Sequence, residues 1–116
     1  NFFTVQDIVL RVSGSGGICV GLFAEEVDGK ISGSGDMEME GEAERLDFDI
    51  SGSGDLDAFN LPVEKADINI SGSGDASVHV LEVLDVRISG SGDVFYKGFP
   101  VLNTHISGSG DVIDAN

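Results

Sequence analysis

One tetrapeptide, Ser-Gly-Ser-Gly, recurs six times in 116 residues, beginning at Ser13, Ser32, Ser51, Ser71, Ser89 and Ser107. Successive spacings are 19, 19, 20, 18 and 18 residues, and a fixed period of this kind constrains the fold before any other property does. The motif glycines are Gly14 and Gly16, Gly33 and Gly35, Gly52 and Gly54, Gly72 and Gly74, Gly90 and Gly92, and Gly108 and Gly110. They account for twelve of the seventeen glycines in the chain. Five copies continue with aspartate, at Asp36, Asp55, Asp75, Asp93 and Asp111, and the first has Gly17 instead.

In isolation such a tetrapeptide reads as a flexible linker. Its flanks overturn that reading. Val12, Ile31, Ile50, Ile70, Ile88 and Ile106 directly precede the six copies, and apolar residues recur two and four positions further back. Of those eighteen positions only Gly29 and Thr104 break the pattern. After the motif the alternation resumes at Ile18, Met37, Leu56, Ala76, Val94 and Val112. Period two is the mark of strands with one buried face. Each repeat is therefore strand, glycine turn, strand and a second connection.

A repeat of 18 to 20 residues cannot bury its own apolar face, but stacked copies can. The predicted fold is all-β: a parallel β-solenoid of about six rungs, forming a single domain over residues 1–116. At the ~4.8 Å inter-strand spacing the stack would be roughly 25–30 Å long. Two or three faces per coil fit equally well. Propeller blades need repeats about twice this length. An antiparallel meander would not explain a first turn of constant length beside a variable second connection. That second connection, with Gly41, Pro62, Gly98 and Pro100, is expected to project as loops. Glycine supplies positive φ and close backbone approach in the constant turn, and serine hydroxyls are expected to satisfy its amides.

The Ile-Ser-Gly-Ser-Gly-Asp-Val-like units, with Tyr96-Lys97-Gly98-Phe99-Pro100-Val101 before the last, resemble the bacterial "putative auto-transporter adhesin, head GIN domain" family. The resemblance runs from about Val5 to Val112. It implies a secreted or cell-surface protein with a parallel β-helix, right-handed by family analogy, and it brings no catalytic residues. It also implies N-terminal strands that this sequence lacks, as a trimmed domain or compact relative would.

Charge and cysteine content narrow the function further. Six Lys+Arg against twenty-one Asp+Glu give a formal charge of −15, which repels phosphate backbones and anionic leaflets. Nucleic-acid binding is therefore not expected. Nor is membrane insertion, because the longest apolar run, Ile18 to Ala24 interrupted by Gly21, is too short to span a bilayer. A lone Cys19 forms no internal disulfide and leaves the redox compartment open. Without an initiator Met or signal-like segment, the chain reads as processed or a fragment.

The turn aspartates are the sharpest site candidates. Register would stack Asp36, Asp55, Asp75, Asp93 and Asp111 about 5 Å apart, with repulsion to compensate. Capping of turn amides is the preferred reading. A calcium ladder is the weaker one, since calcium-binding glycine-aspartate repeats are nonapeptides. No other cofactor is expected. A second column, Asp28, Asp47, Asp67 and Asp85, lies two residues from Lys30 and Arg87. A β-helix lyase or hydrolase would place its acids and bases so, but a solvated face that blocks sheet aggregation is simpler.

Gly14–Gly17 has neither the helix nor the lysine of a phosphate loop. His79, His105 and Cys19 share no metal-ligand spacing, and a Ser-His-Asp triad assembled from such a composition has no positional support. Ice binding would want a threonine array, and only Thr4 and Thr104 exist.

Apolar residues gather towards the termini: Phe2, Phe3, Leu22 and Phe23 at one end, Phe95, Phe99 and Ile113 at the other. They are expected to cap the ends or to make contacts there. The sequence thus points to a non-enzymatic structural or adhesive module presenting a rigid acidic rod to a surface glycan or protein. A filament subunit joined end to end through its terminal rungs is the alternative, and a carbohydrate-active enzyme the remote one.

Overall fold

The computed structural model describes residues 2–4 and 6–115, with side chains from Gln6 onward. Among the described residues nine strands form one sheet: β1 (Phe2–Thr4), β2 (Asp7–Gly14), β3 (Gly17–Gly33), β4 (Asp36–Gly52), β5 (Asp55–Gly72), β6 (Ala76–Gly90), β7 (Asp93–Lys97), β8 (Val101–Gly108) and β9 (Asp111–Asp114). Every pairing is parallel, between one repeat and the next, and no helix is present among the described residues. This is the β-solenoid that the repeat predicts.

The long strands show how the chain winds. At about 3.3 Å per residue a straight strand would run roughly 56 Å for the 17 residues of β4. The whole molecule measures only 37 × 33 × 20 Å, so each long strand bends around the core as most of one coil.

Two breaks in the alternation recur from one interior coil to the next. One is the Ser-Gly-Ser-Gly turn. The other is a pair of exposed residues, Glu25-Glu26, Glu44-Arg45 and Glu64-Lys65, after which the inward side resumes at Val27, Leu46 and Ala66. The buried set is wholly apolar, with Met37, Leu56 and Ala76 after the turn and Ile31, Ile50, Ile70 and Ile88 before it. No described polar or charged side chain is buried.

The two exceptions to the apolar pattern have different outcomes. Gly29 faces the core opposite Phe48, and the Phe48 ring occupies the space a side chain at Gly29 would need. One bulky residue fills two positions there. Thr104 lies on the last coil, where every residue of β8 is exposed.

The variable second connection does not project as loops. Pairing continues through it, and the extra residues appear as bulges. Register slips between Glu38 and Glu40 against Asp57 and Asn60, and again across Ala58–Pro62 against Val78–His79. A bulge keeps most ladder hydrogen bonds, whereas an excursion would surrender them. Gly98–Pro100, between β7 and β8, leaves the sheet.

Candidate functional site

The constant turns stack by backbone contact. The amides of Ser34, Ser53, Ser73, Ser91 and Ser109 donate to the carbonyls of Gly14, Gly33, Gly52, Gly72 and Gly90, one rung back, each at 3.0 Å. The role expected of serine hydroxyls in satisfying these amides is taken by the main chain of the rung behind. The two glycines of each copy serve different ends. Gly72 has φ +134°, a conformation side chains rarely adopt. Gly74 has no such φ, yet a Cβ there would collide with the Gly54 carbonyl and lie 2.7 Å from Ile50 Cγ2.

Beside these turns the aspartates form a ladder. The Asp75 N–H donates to Asp55 Oδ1 at 3.1 Å, Asp93 N–H to Asp75 Oδ1 at 3.0 Å, and Asp111 N–H to Asp93 Oδ1 at 3.1 Å. Each of these carboxylates therefore caps the amide of the aspartate one rung on. In the earlier rungs the amides of Asp36 and Asp55 use the carbonyls of Gly16 and Gly35 at 3.2 and 3.3 Å. Among the described residues no group of three or more His, Cys, Asp or Glu side chains converges as a metal-binding set. Asp36, Asp55 and Asp75, with Glu38, Asp57, Ser77 and Phe95, line an open trough of about 560 Å³.

The second acidic column is also in register: Asp28 opposes Asp47, Asp47 opposes Asp67, and Asp67 opposes Asp85. Partial burial, then the charges of Asp67, Asp28 and Asp49, push Asp47 above the usual carboxylate range. Asp67 is raised by burial and by Asp85 and Asp49, with Arg87 pulling the other way. The two raised carboxylates are neighbours in the middle of this column of like charges. Arg87 does lie in the adjoining column, opposite Asn69 and His105.

The terminal apolar residues divide. Phe99 is 89% exposed in the β7–β8 loop, and Ile113 is exposed on β9. Phe95 is half-buried at the trough. Leu22 is not an end contact: the chain bends at Gly21 and Leu22, both are buried, and Leu22 is 0% exposed in the core. Phe23 belongs to a lateral groove with Glu42, Pro62 and Leu81 rather than to the end. The side chains of Phe2 and Phe3 lie outside the described residues. Leu81, 51% exposed, falls outward in the alternation after Val78 and Val80 and lines that same groove. His79 pairs with Pro62 and Lys97, far along the coil from the position of His105, and Cys19 is exposed opposite Glu38.

Fold and surface together define a parallel β-solenoid module with an entirely apolar interior and regularly repeated acidic columns outside. The family model described as "putative auto-transporter adhesin, head GIN domain" matches residues 2–100, and the chain belongs to that family. Solved structures share the fold closely. A "putative adhesin" from Parabacteroides distasonis is 34% identical with a TM-score of 0.97, the match covering 99% of this chain and 49% of that one. A "putative adhesin" from Parabacteroides merdae is 30% identical with a TM-score of 0.98, covering 100% and 49%. A P. distasonis structure titled "putative lipid binding protein" is 32% identical with a TM-score of 0.97, covering 99% and 47%. The chain thus spans about half the length of these solved relatives. No curated protein matches it significantly.

Proposed function

We propose that the chain is a non-enzymatic adhesive module, secreted or displayed at the cell surface, that binds a glycan or protein through its outer columns. The observation that carries this reading is the separation of roles in the coil. Buried positions are all apolar, and chemistry-bearing side chains sit outside in columns that repeat with the rungs. A repeated array suits multivalent contact with an extended partner. Membership in a family named for adhesins supports it.

The test is binding of the labelled chain to arrays of surface glycans and extracellular proteins, repeated with Asp28→Ser, Asp47→Ser and Asp67→Ser combined. Saturable binding lost in that variant is expected. Binding unaltered by the variant, or no saturable ligand at all, would sink the proposal. Localisation is checked separately by protease shaving of intact cells, and protection of the chain would argue against display.

A further inference from the structure

The lateral groove, about 440 Å³ in volume, sets exposed apolar side chains among carboxylates. Phe23 is 43% and Leu81 51% exposed, with half-buried Pro62 on β5 between them. Both lie inside the stack, so they face sideways and their exposure owes nothing to an open strand edge. Phe23 pairs with Thr4 on one side and Glu42 on the other. Leu81 has β5 behind it, and the His79–Lys97 and Val83–Val101 pairs bracket it ahead.

A bulge brings Leu81 to this place. Val63 pairs with Val80 and Lys65 with Val83, so Leu81 and Glu82 stand against the single residue Glu64. A bulge of this kind re-aims a side chain. Glu25, Glu44 and Glu64 occupy the same position in the preceding coils, each between paired neighbours. The extra residue therefore adds an apolar side chain to a row of glutamates.

Charge points to the occupant. Glu42, Glu44 and Glu64 line the groove, and among the described residues no Lys, Arg or His does. Glu44 and Glu64 lie on adjacent strands between the Ala43–Val63 and Arg45–Lys65 pairs, and like charges so placed repel. A cation brought by a partner relieves that repulsion. An anionic leaflet or another copy of this −15 chain would add to it. A neutral glycan relieves nothing and finds one ring, Phe23, beside the aliphatic Pro62 and Leu81.

Spacing gives the pattern. Phe23 on β3 and Leu81 on β6 are three inter-strand steps apart, roughly 14 Å along the stack. An extended peptide covers that distance in about four residues, and its alternate side chains share one face. Two apolar side chains four positions apart then meet Phe23 and Leu81, and the residue midway falls over the glutamates.

We infer that this groove docks an extended basic peptide segment in which two apolar residues flank a lysine or arginine at alternate positions. The groove lies off the aspartate columns of the adhesive reading, so either stands without the other. NMR titration of the whole chain tests it, using a synthetic peptide with two leucines four positions apart and an arginine midway. Saturable shifts centred on the amides of Phe23, Glu44, Glu64 and Leu81 are expected. They should persist when Asp28→Ser, Asp47→Ser and Asp67→Ser are combined. Leu81→Ser should weaken binding roughly fivefold or more, and so should Glu44→Gln with Glu64→Gln. All three positions are exposed, so the fold tolerates these changes, which circular dichroism checks. The same peptide in scrambled order should bind less tightly by a similar factor. Equal binding by the scrambled peptide, or shifts centred on Asp28, Asp47, Asp67 and Asp85, would reduce the contact to bulk charge and overturn the proposal. No saturable shift at millimolar peptide would overturn it too, as would a neutral oligosaccharide that shifts these amides where the peptide does not. Binding through the aspartate columns is read separately, by their own combined variant.

Discussion

The two glycines of one motif are held by unlike constraints, and substitution separates them. Gly74→Ala drives a methyl group into the Gly54 carbonyl and Ile50 of the rung behind. It should cost about 2–3 kcal/mol or more, because backbone cannot yield as a side-chain tip would. Gly16 occupies the equivalent place in the first turn and has nothing within 4 Å. Gly16→Ala should leave thermal melting within about 0.5 kcal/mol of the parent. Equal losses at the two sites would show that local conformation, rather than stacking, selects the second glycine. The turn aspartates act on the same scale. Asp75→Ala removes the acceptor for the Asp93 amide and should cost about 1 kcal/mol, read by chemical denaturation. A loss that appears only when calcium is present would reassign the ladder to metal binding.

Within the coil, Gly29 and Phe48 behave as one packing unit. Gly29→Ala should be strongly destabilising, and Phe48→Leu should recover part of that loss, since the shorter side chain vacates the contested space. Additive effects in the double-mutant cycle would refute the pairing. The Asp28–Asp85 column couples a strand face to pH. Asp47 and Asp67 bind protons more tightly folded than unfolded. Their contribution to stability is complete below the unfolded carboxylate value and is lost as pH rises through the raised folded values. Melting temperature should therefore climb as pH falls from neutrality into the mildly acidic range. Asp47→Asn with Asp67→Asn should flatten that climb, and added salt should shrink it. A parent melt that only falls on acidification would contradict the assignment.

For the molecule as a whole, the −15 charge opposes both compaction and association, so monovalent salt should raise stability. Divalent calcium at matched ionic strength should add little if the turn carboxylates serve as amide caps. A melting shift from calcium that sodium does not reproduce would show a cation site. Much of this architecture was legible in the chain. Period two on either side of an invariant turn leaves few ways to bury the apolar face, and a repeat of 18 to 20 residues forces that burial between copies. The stacked aspartate columns followed from the same register. Three features were not legible. Leu22 and Phe23 looked alike near one terminus, but a bend buries one and turns the other to a side groove. Length variation looked like loops and is bulged sheet. Leu102 and Ile106 carry the inward apolar pattern, yet they are exposed while their paired equivalents one rung back are buried.

The amino-acid sequence by itself determined the period, the inward and outward sides of each strand, and the identity of the constant turn. Those depend on alternation and on glycine spacing, which are properties of neighbours along the chain. Tertiary structure alone decided that the second glycine of each motif after the first is required by the rung behind it, and that Phe48 fills the space beside Gly29. Each of these depends on atoms about a full coil apart in sequence, brought within contact only when the rungs stack.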